Sequence, residues 1–147
     1  MRRVETGESY VGEVPLNLFR EESFKGKGYL DRASEVICEG IEELKVARAE
    51  PIHICSGYIL SKARQVLDSN GYAVVNKKIA GATQELAEAE FIKSLVKLGV
   101  GDRTTVSSMR SFDAFLRWVL DDIGARERFV KTGWSSWPRL KKEEGRH

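Results

Sequence analysis

The chain has 147 residues, of which 41% are apolar and 31% charged, and its formal net charge is +2. This balance is typical of one globular domain and excludes a disordered chain. No stretch reaches the roughly 20 apolar residues that cross a bilayer, and the opening "MRRVETGESY" lacks the apolar core of a secretory signal. We therefore expect a soluble, cytoplasmic protein. Asn and Gln are scarce beside Glu, Lys and Arg, a bias seen in proteins that work at high temperature.

The amino-terminal third begins with a β-rich stretch, 9–19, in which Pro15 removes a backbone donor, so we predict an edge strand. The charged, glycine-containing stretch 20–28 is predicted as a loop. Between 29 and 47, apolar residues recur every three or four positions opposite acidic ones. This pattern predicts an amphipathic helix with an acidic outer face.

The middle of the chain, residues 51–100, gives the clearest pattern. Short apolar runs at 51–56 and 72–79 predict buried strands, and helical periodicity follows each run, at 59–67 and 81–101. The order β-α-β-α with short connections predicts a parallel strand pair joined by a right-handed crossover.

The carboxy-terminal third begins with a predicted helix over 107–130, for which Ser108 or Ser111 is the expected cap. Beyond it the periodicity is lost. We predict one α/β domain over 1–130, with a small mixed sheet of three to five strands, and a helical, basic, Trp-containing extension over 131–147. The order of elements is analogous to that of the ribonuclease H-like fold.

A candidate anion site follows from this topology, because ligands of parallel sheets bind beyond the carboxyl ends of the strands, near helix N-termini. The two strand ends and the start of the following helix carry small, hydroxyl and cationic side chains. The predicted anion-binding residues are Ser56, Gly57, Lys77, Lys78, Thr83 and Gln84.

The sequence lacks the residues that three other kinds of site at this edge would need. Cys55 is followed by Arg64 nine positions later, and not by the arginine six positions on that a cysteine phosphatase requires. His53 and Cys55 share a strand face but lack further metal ligands. Glu85 and Glu88 are candidate acidic residues, yet strand 51–56 has no carboxylate with which a metal-dependent nuclease would complete its site. We therefore predict no metal and no cofactor.

The end of the chain is basic, since residues 126–147 carry a net charge of +4 and the rest −2. Its aromatic and basic side chains alternate, as in surfaces that bind single-stranded nucleic acid. The same tryptophans are equally suited to packing against the chain itself or a second copy. The predicted nucleic-acid or partner contacts are Arg128, Lys131, Trp134, Trp137, Arg139 and Lys141.

These patterns favour a module that binds an anionic partner, nucleic acid or a nucleotide, through the strand edge and the basic tail. One alternative is an enzyme at the same edge, a phosphate-handling or nuclease-like hydrolase that uses Ser56, Lys78, Thr83, Gln84 and Glu88. A second alternative is an assembly protein that forms a homodimer through Trp134 and Trp137.

Overall fold

The computed structural model describes residues 1–144. The last three residues of the predicted extension, Gly145 to His147, lie outside the described residues. The chain is a mixture of helix and sheet, and 58% of the described residues are helical. It divides into two compact units: unit 1 comprises Met1–Pro15 and Lys27–Ala87, and unit 2 comprises Leu16–Gly26 and the chain from Glu88 onward. The predicted boundary between 1–130 and 131–147 stays a prediction.

Eight α-helices and two strands are found in the described residues. The strands are β1 (Pro51–Ile54) and β2 (Ala73–Asn76). The helices are α1 (Glu21–Lys25), α2 (Gly28–Glu43), α3 (Ser61–Ser69), α4 (Ala82–Leu98), α5 (Arg103–Ser108), α6 (Phe112–Leu120), α7 (Ile123–Arg126) and α8 (Trp137–Glu144). Short 3-10 turns cover Leu16–Phe19, Tyr58–Leu60 and Glu127–Phe129.

The predicted parallel pair of unit 1 is confirmed. β1 pairs with β2 in parallel, with Pro51 opposite Ala73 and Ile54 opposite Asn76. Between the strands along the chain, α3 packs against α2. The buried apolar side chains of the unit come from α2 and the residue that follows it, from β1 and from α3. They are Tyr29, Ala33, Ile41, Leu44, Ile54, Ala63 and Leu67. The predicted helix–strand order of residues 51–100 is therefore present, with shorter strands than expected.

The prediction that both strands are buried is wrong. Ile54 is 5% exposed, whereas His53 is exposed and Val75, its register partner, is 42% exposed. Side chains alternate across a strand, so the face that carries Ile54 is covered, with α3 against β2, while the face that carries His53 and Val75 is open. A run of apolar residues in the sequence did not distinguish a strand that is buried on both faces from one that is buried on a single face.

The predicted edge strand over 9–19 is wrong, and in the described residues the sheet has two strands instead of three to five. The amino terminus instead closes on itself around a turn in which Gly7 has φ +76°. The Met1 amino group donates to Tyr10 O at 2.8 Å, and Tyr10 N–H donates to Met1 O at 2.9 Å. Pro15 then precedes a 3-10 turn whose Phe19 is buried. With a two-stranded sheet, a ribonuclease H-like order of elements is not confirmed.

Unit 2 is helical where a loop, one long helix and a helical carboxy-terminal extension were predicted. α1 occupies the predicted loop 20–28, and α8 lies in the tail. The predicted helix over 107–130 is divided after Leu120 because the Asp122 side chain accepts a hydrogen bond from Ala125 N–H and starts a new helix. Ser111 caps α6 as predicted, through Ala114 N–H. No helix of the described residues is long and apolar enough to cross a membrane.

Candidate anion-binding site

The carboxyl ends of β1 and β2 lie side by side, because Lys77 N–H donates to Ile54 O at 2.9 Å. This bond continues the parallel ladder by one residue beyond the named strands. It brings the backbone of 77–78 alongside the start of the 55–57 turn. Ser56, Gly57, Lys77 and Lys78 are all exposed. The turn and the two lysines thus occupy the same edge of unit 1.

Arg64, which was not among the predicted site residues, holds this turn. Its Nη1 donates to the carbonyl of Cys55 at 2.7 Å and to that of Gly57 at 3.0 Å. The nine-residue spacing between Cys55 and Arg64, which excluded a cysteine phosphatase, places Arg64 one helical turn into α3. From there its guanidinium reaches back to the loop that precedes the helix. Charge-assisted bonds to carbonyls are strong, so the guanidinium of Arg64 fixes the turn.

Tyr58 and Lys27 extend the same surface. Tyr58, the first residue of the 3-10 turn, is 57% exposed. The Lys27 ammonium lies 5.8 Å from the centre of its ring, and a side-chain hydrogen bond with Tyr58 raises the pKa of Lys27. We call residues 55–58 and 77–78, together with Lys27 and Arg64, the strand-end surface.

The charge of the strand-end surface is largely uncompensated. A nearby cation, Lys62, forms an ion pair with Asp31. The four cations of the surface itself, Lys27, Arg64, Lys77 and Lys78, form no ion pair within the part of the chain that the structure describes. A cluster of unpaired cations attracts anions over a distance set by ionic strength.

The remaining predicted residues of this edge lie on α4. Thr83 is half-buried and Gln84 exposed in its first turn, after Gly81 with φ +66°. Glu85 and Glu88 are exposed one turn apart; Glu85 belongs to unit 1 and Glu88 begins unit 2. The approach of Thr83 and Gln84 to Ser56 stays a prediction. Among residues 1–144 no group of three or more His, Cys, Asp or Glu is arranged to hold a metal ion.

The tryptophans of the basic carboxy-terminal segment, which we define as residues 126–144, differ in exposure. Trp137 is 4% exposed, and its Nε1–H donates to Glu127 Oε1 at 2.9 Å. Trp134 is 37% exposed and meets the Phe112 ring edge-to-face, with 5.5 Å between centroids. Trp137 is therefore packed fully against the chain itself, and Trp134 only in part.

Most of the segment's cations have partners within unit 2. Lys141 donates to both carboxylate oxygens of Glu127, at 2.9 and 3.0 Å, and this bond is the main reason that the pKa of Glu127 is lowered. Arg139 lies 3.9 Å from Glu143, on an open hollow of about 450 Å³ that both residues line. Arg128 lies over the ring of Phe129, at 4.6 Å.

Lys131 lies over a buried aromatic ring. Its ammonium is 4.2 Å from the centre of the Phe19 ring. Although the residue as a whole is exposed, its ammonium loses contact with water there, and this desolvation lowers the pKa of Lys131. Many of the cations that were predicted to contact an anionic partner thus make contacts that stabilise unit 2.

Comparison with known proteins adds no relative to this picture: no family model, no curated protein and no solved structure matches the chain.

Proposed function

We propose that this protein is a module that binds an anionic partner, nucleic acid or a nucleotide, at the strand-end surface. The observation that carries the proposal is the cluster of four cations without carboxylate partners beside a turn of small, exposed residues. Lys27, Lys77 and Lys78 are exposed, and exposed ammonium groups bind phosphate oxygens and release counterions from a nucleic acid. The hydroxyl of Ser56, which is exposed in the 55–57 turn, supplies a further donor for a phosphate.

The basic carboxy-terminal segment is a secondary contact in this proposal. Arg139 keeps 72% of its side chain exposed despite its long contact with Glu143, and Trp134 keeps 37%. An exposed ion pair at 3.9 Å is weak, so Arg139 remains available to a phosphate. Trp137 is left out of the contact surface because its ring is buried within unit 2.

The test is a titration of labelled single-stranded and duplex oligonucleotides at about 50 to 200 mM salt. The Lys77→Ala/Lys78→Ala variant should bind more weakly to both. Its log–log salt slope on single strands should be smaller by about 1.4, since each phosphate contact contributes about 0.7. The matched control is Lys93→Ala/Lys97→Ala, which removes the same charge from exposed positions on α4. The proposal fails if no oligonucleotide binds at low salt or if the two double variants behave alike.

The two alternatives, a hydrolase at Ser56, Lys78, Thr83, Gln84 and Glu88 and a homodimer through the tryptophans, stay predictions. No observation favours either alternative. Of the two tryptophans proposed for the homodimer interface, Trp134 is the exposed one.

A further inference from the structure

The chain has four tyrosines, and Tyr58 differs from the other three. Tyr29 is 6% exposed, the Tyr10 hydroxyl donates to Glu39 at 2.5 Å, and Tyr72 is covered by the guanidinium of Arg48 at 4.0 Å from its ring centre. Each of these three rings takes part in packing or pairing within unit 1. Tyr58 alone exposes more than half of its surface, 57%.

The exposed ring is attached to a braced turn. Arg64 fixes the two carbonyls on either side of Ser56, and Leu60 N–H donates to Gly57 O at 3.1 Å. The next two residues, Ile59 and Leu60, are half-buried, so the chain is anchored on both sides of Tyr58. A ring presented from a fixed backbone loses little conformational entropy when a ligand covers it.

The ring also lies among cations. The Lys27 ammonium lies 5.8 Å from the centre of the ring. Lys77 and Lys78 follow the neighbouring strand at the same edge. An aromatic face next to unpaired cations is the combination that single-stranded nucleic acids recognise, since bases stack on the ring while phosphates contact the cations.

We propose that Tyr58 is a stacking platform for a base of single-stranded nucleic acid, whose backbone is held by Lys27, Lys77 and Lys78. This inference rests on the proposed function and deepens it by naming the ligand class. A duplex keeps its bases stacked on each other and offers Tyr58 no free base face. Single strands are therefore preferred over duplexes at equal length.

The test compares three probes of equal length: oligo-dT, an abasic oligodeoxynucleotide with the same phosphates, and a duplex. Replacing Tyr58 by Ala should weaken oligo-dT binding by about 5- to 150-fold, the value of one base–aromatic stack. Binding of the abasic strand and the duplex should change by less than about twofold. Tyr58→Phe keeps the stacking face and should retain oligo-dT affinity.

The matched control is Phe91→Ala, which removes another exposed aromatic side chain, 52% exposed on α4, and should leave oligo-dT affinity unchanged. If none of the probes binds, the proposed function fails and the inference with it. If all three bind through Lys77 and Lys78 but Tyr58→Ala binds oligo-dT as wild type does, only the stacking platform is overturned. Equal affinity of the wild type for oligo-dT and the abasic strand overturns it as well.

Discussion

The strand-end surface and the basic carboxy-terminal segment both combine cations with aromatic rings, but they use them differently. In the segment, Lys141 is paired with Glu127, Lys131 covers Phe19, and Trp137 is buried. At the strand-end surface, the cations have no carboxylate partner among residues 1–144, and Tyr58 is exposed. The sequence is more basic in the segment, yet its charges and rings mostly stabilise unit 2. Local charge density in a sequence therefore says less about a binding surface than whether each charge has a partner in the fold.

The largest effect should come from Trp137, whose ring is internal to unit 2. Replacing Trp137 by Ala removes a large buried side chain and leaves a cavity, which costs about 3–5 kcal/mol of unfolding free energy. It also leaves Glu127 without its indole donor. Urea unfolding followed by circular dichroism measures the change.

Trp134→Ala is the control for this prediction, since that ring is 37% exposed and its removal should cost far less. If Trp137→Ala unfolds at the same urea concentration as wild type, the segment is not part of the folded core. The conclusion that its rings stabilise unit 2, in contrast to the strand-end surface, would then be wrong.

The second effect concerns the brace of the strand-end surface. Arg64→Ala removes two charge-assisted bonds, to Cys55 O and Gly57 O, and should lower the unfolding free energy by about 1–3 kcal/mol. The Leu60 amide, bonded to Gly57 O, should exchange faster with solvent because the turn is loosened.

Arg64→Lys keeps the charge but lacks the planar fork of donors, so its stability should lie between those of Ala and wild type. Wild-type exchange at Leu60 in the Ala variant would show that the turn does not depend on Arg64.

The sequence predicted the local features of this fold better than its long-range ones. Periodicity located α2, α3 and α4, and short connections predicted the parallel pairing of β1 with β2, because both signals depend on neighbouring residues. The strand predicted over 9–19 was wrong because β-forming residues need a partner edge, and here the Tyr10 backbone pairs with Met1.

The site was predicted to a similar extent. The positions of Ser56, Gly57, Lys77 and Lys78 at one strand edge follow from topology. The role of Arg64 does not, since it depends on a side chain that turns back along its own helix. The Asp31–Lys62 and Glu127–Lys141 pairs join residues 31 and 14 positions apart, so composition could not reveal which cations are neutralised.

A smaller effect, dependent on pH, should come from Glu127. Its pKa is lowered below the ordinary 4.5 by Lys141 and Trp137, so its stabilising contribution is fully present above pH 4.5 and is lost as pH falls through the folded-state pKa. Glu127→Gln should be less stable than wild type at pH 7, by about 1 kcal/mol or less.

The difference between the two proteins at pH 7 should shrink at an acidic pH, as pH falls through the folded-state pKa and wild-type Glu127 becomes protonated. Thermal unfolding at the two pH values measures it. A difference that persists unchanged at the acidic pH would mean that Gln disturbs packing and that the Lys141 pair adds nothing.

The smallest effect should be that of the segment's cations on nucleic-acid binding. Arg139→Ala/Lys141→Ala removes two charges, as Lys77→Ala/Lys78→Ala does, but Lys141 is already neutralised by Glu127 and removing it leaves that carboxylate unpaired. We expect less than about a threefold loss of affinity for single strands and a salt slope reduced by about 0.7 at most, the share of one phosphate contact. Equal slopes for the two double variants would mean that Glu127 releases Lys141 when a phosphate approaches, so that the ion pairs of unit 2 give way to the ligand and the segment binds as strongly as the strand-end surface.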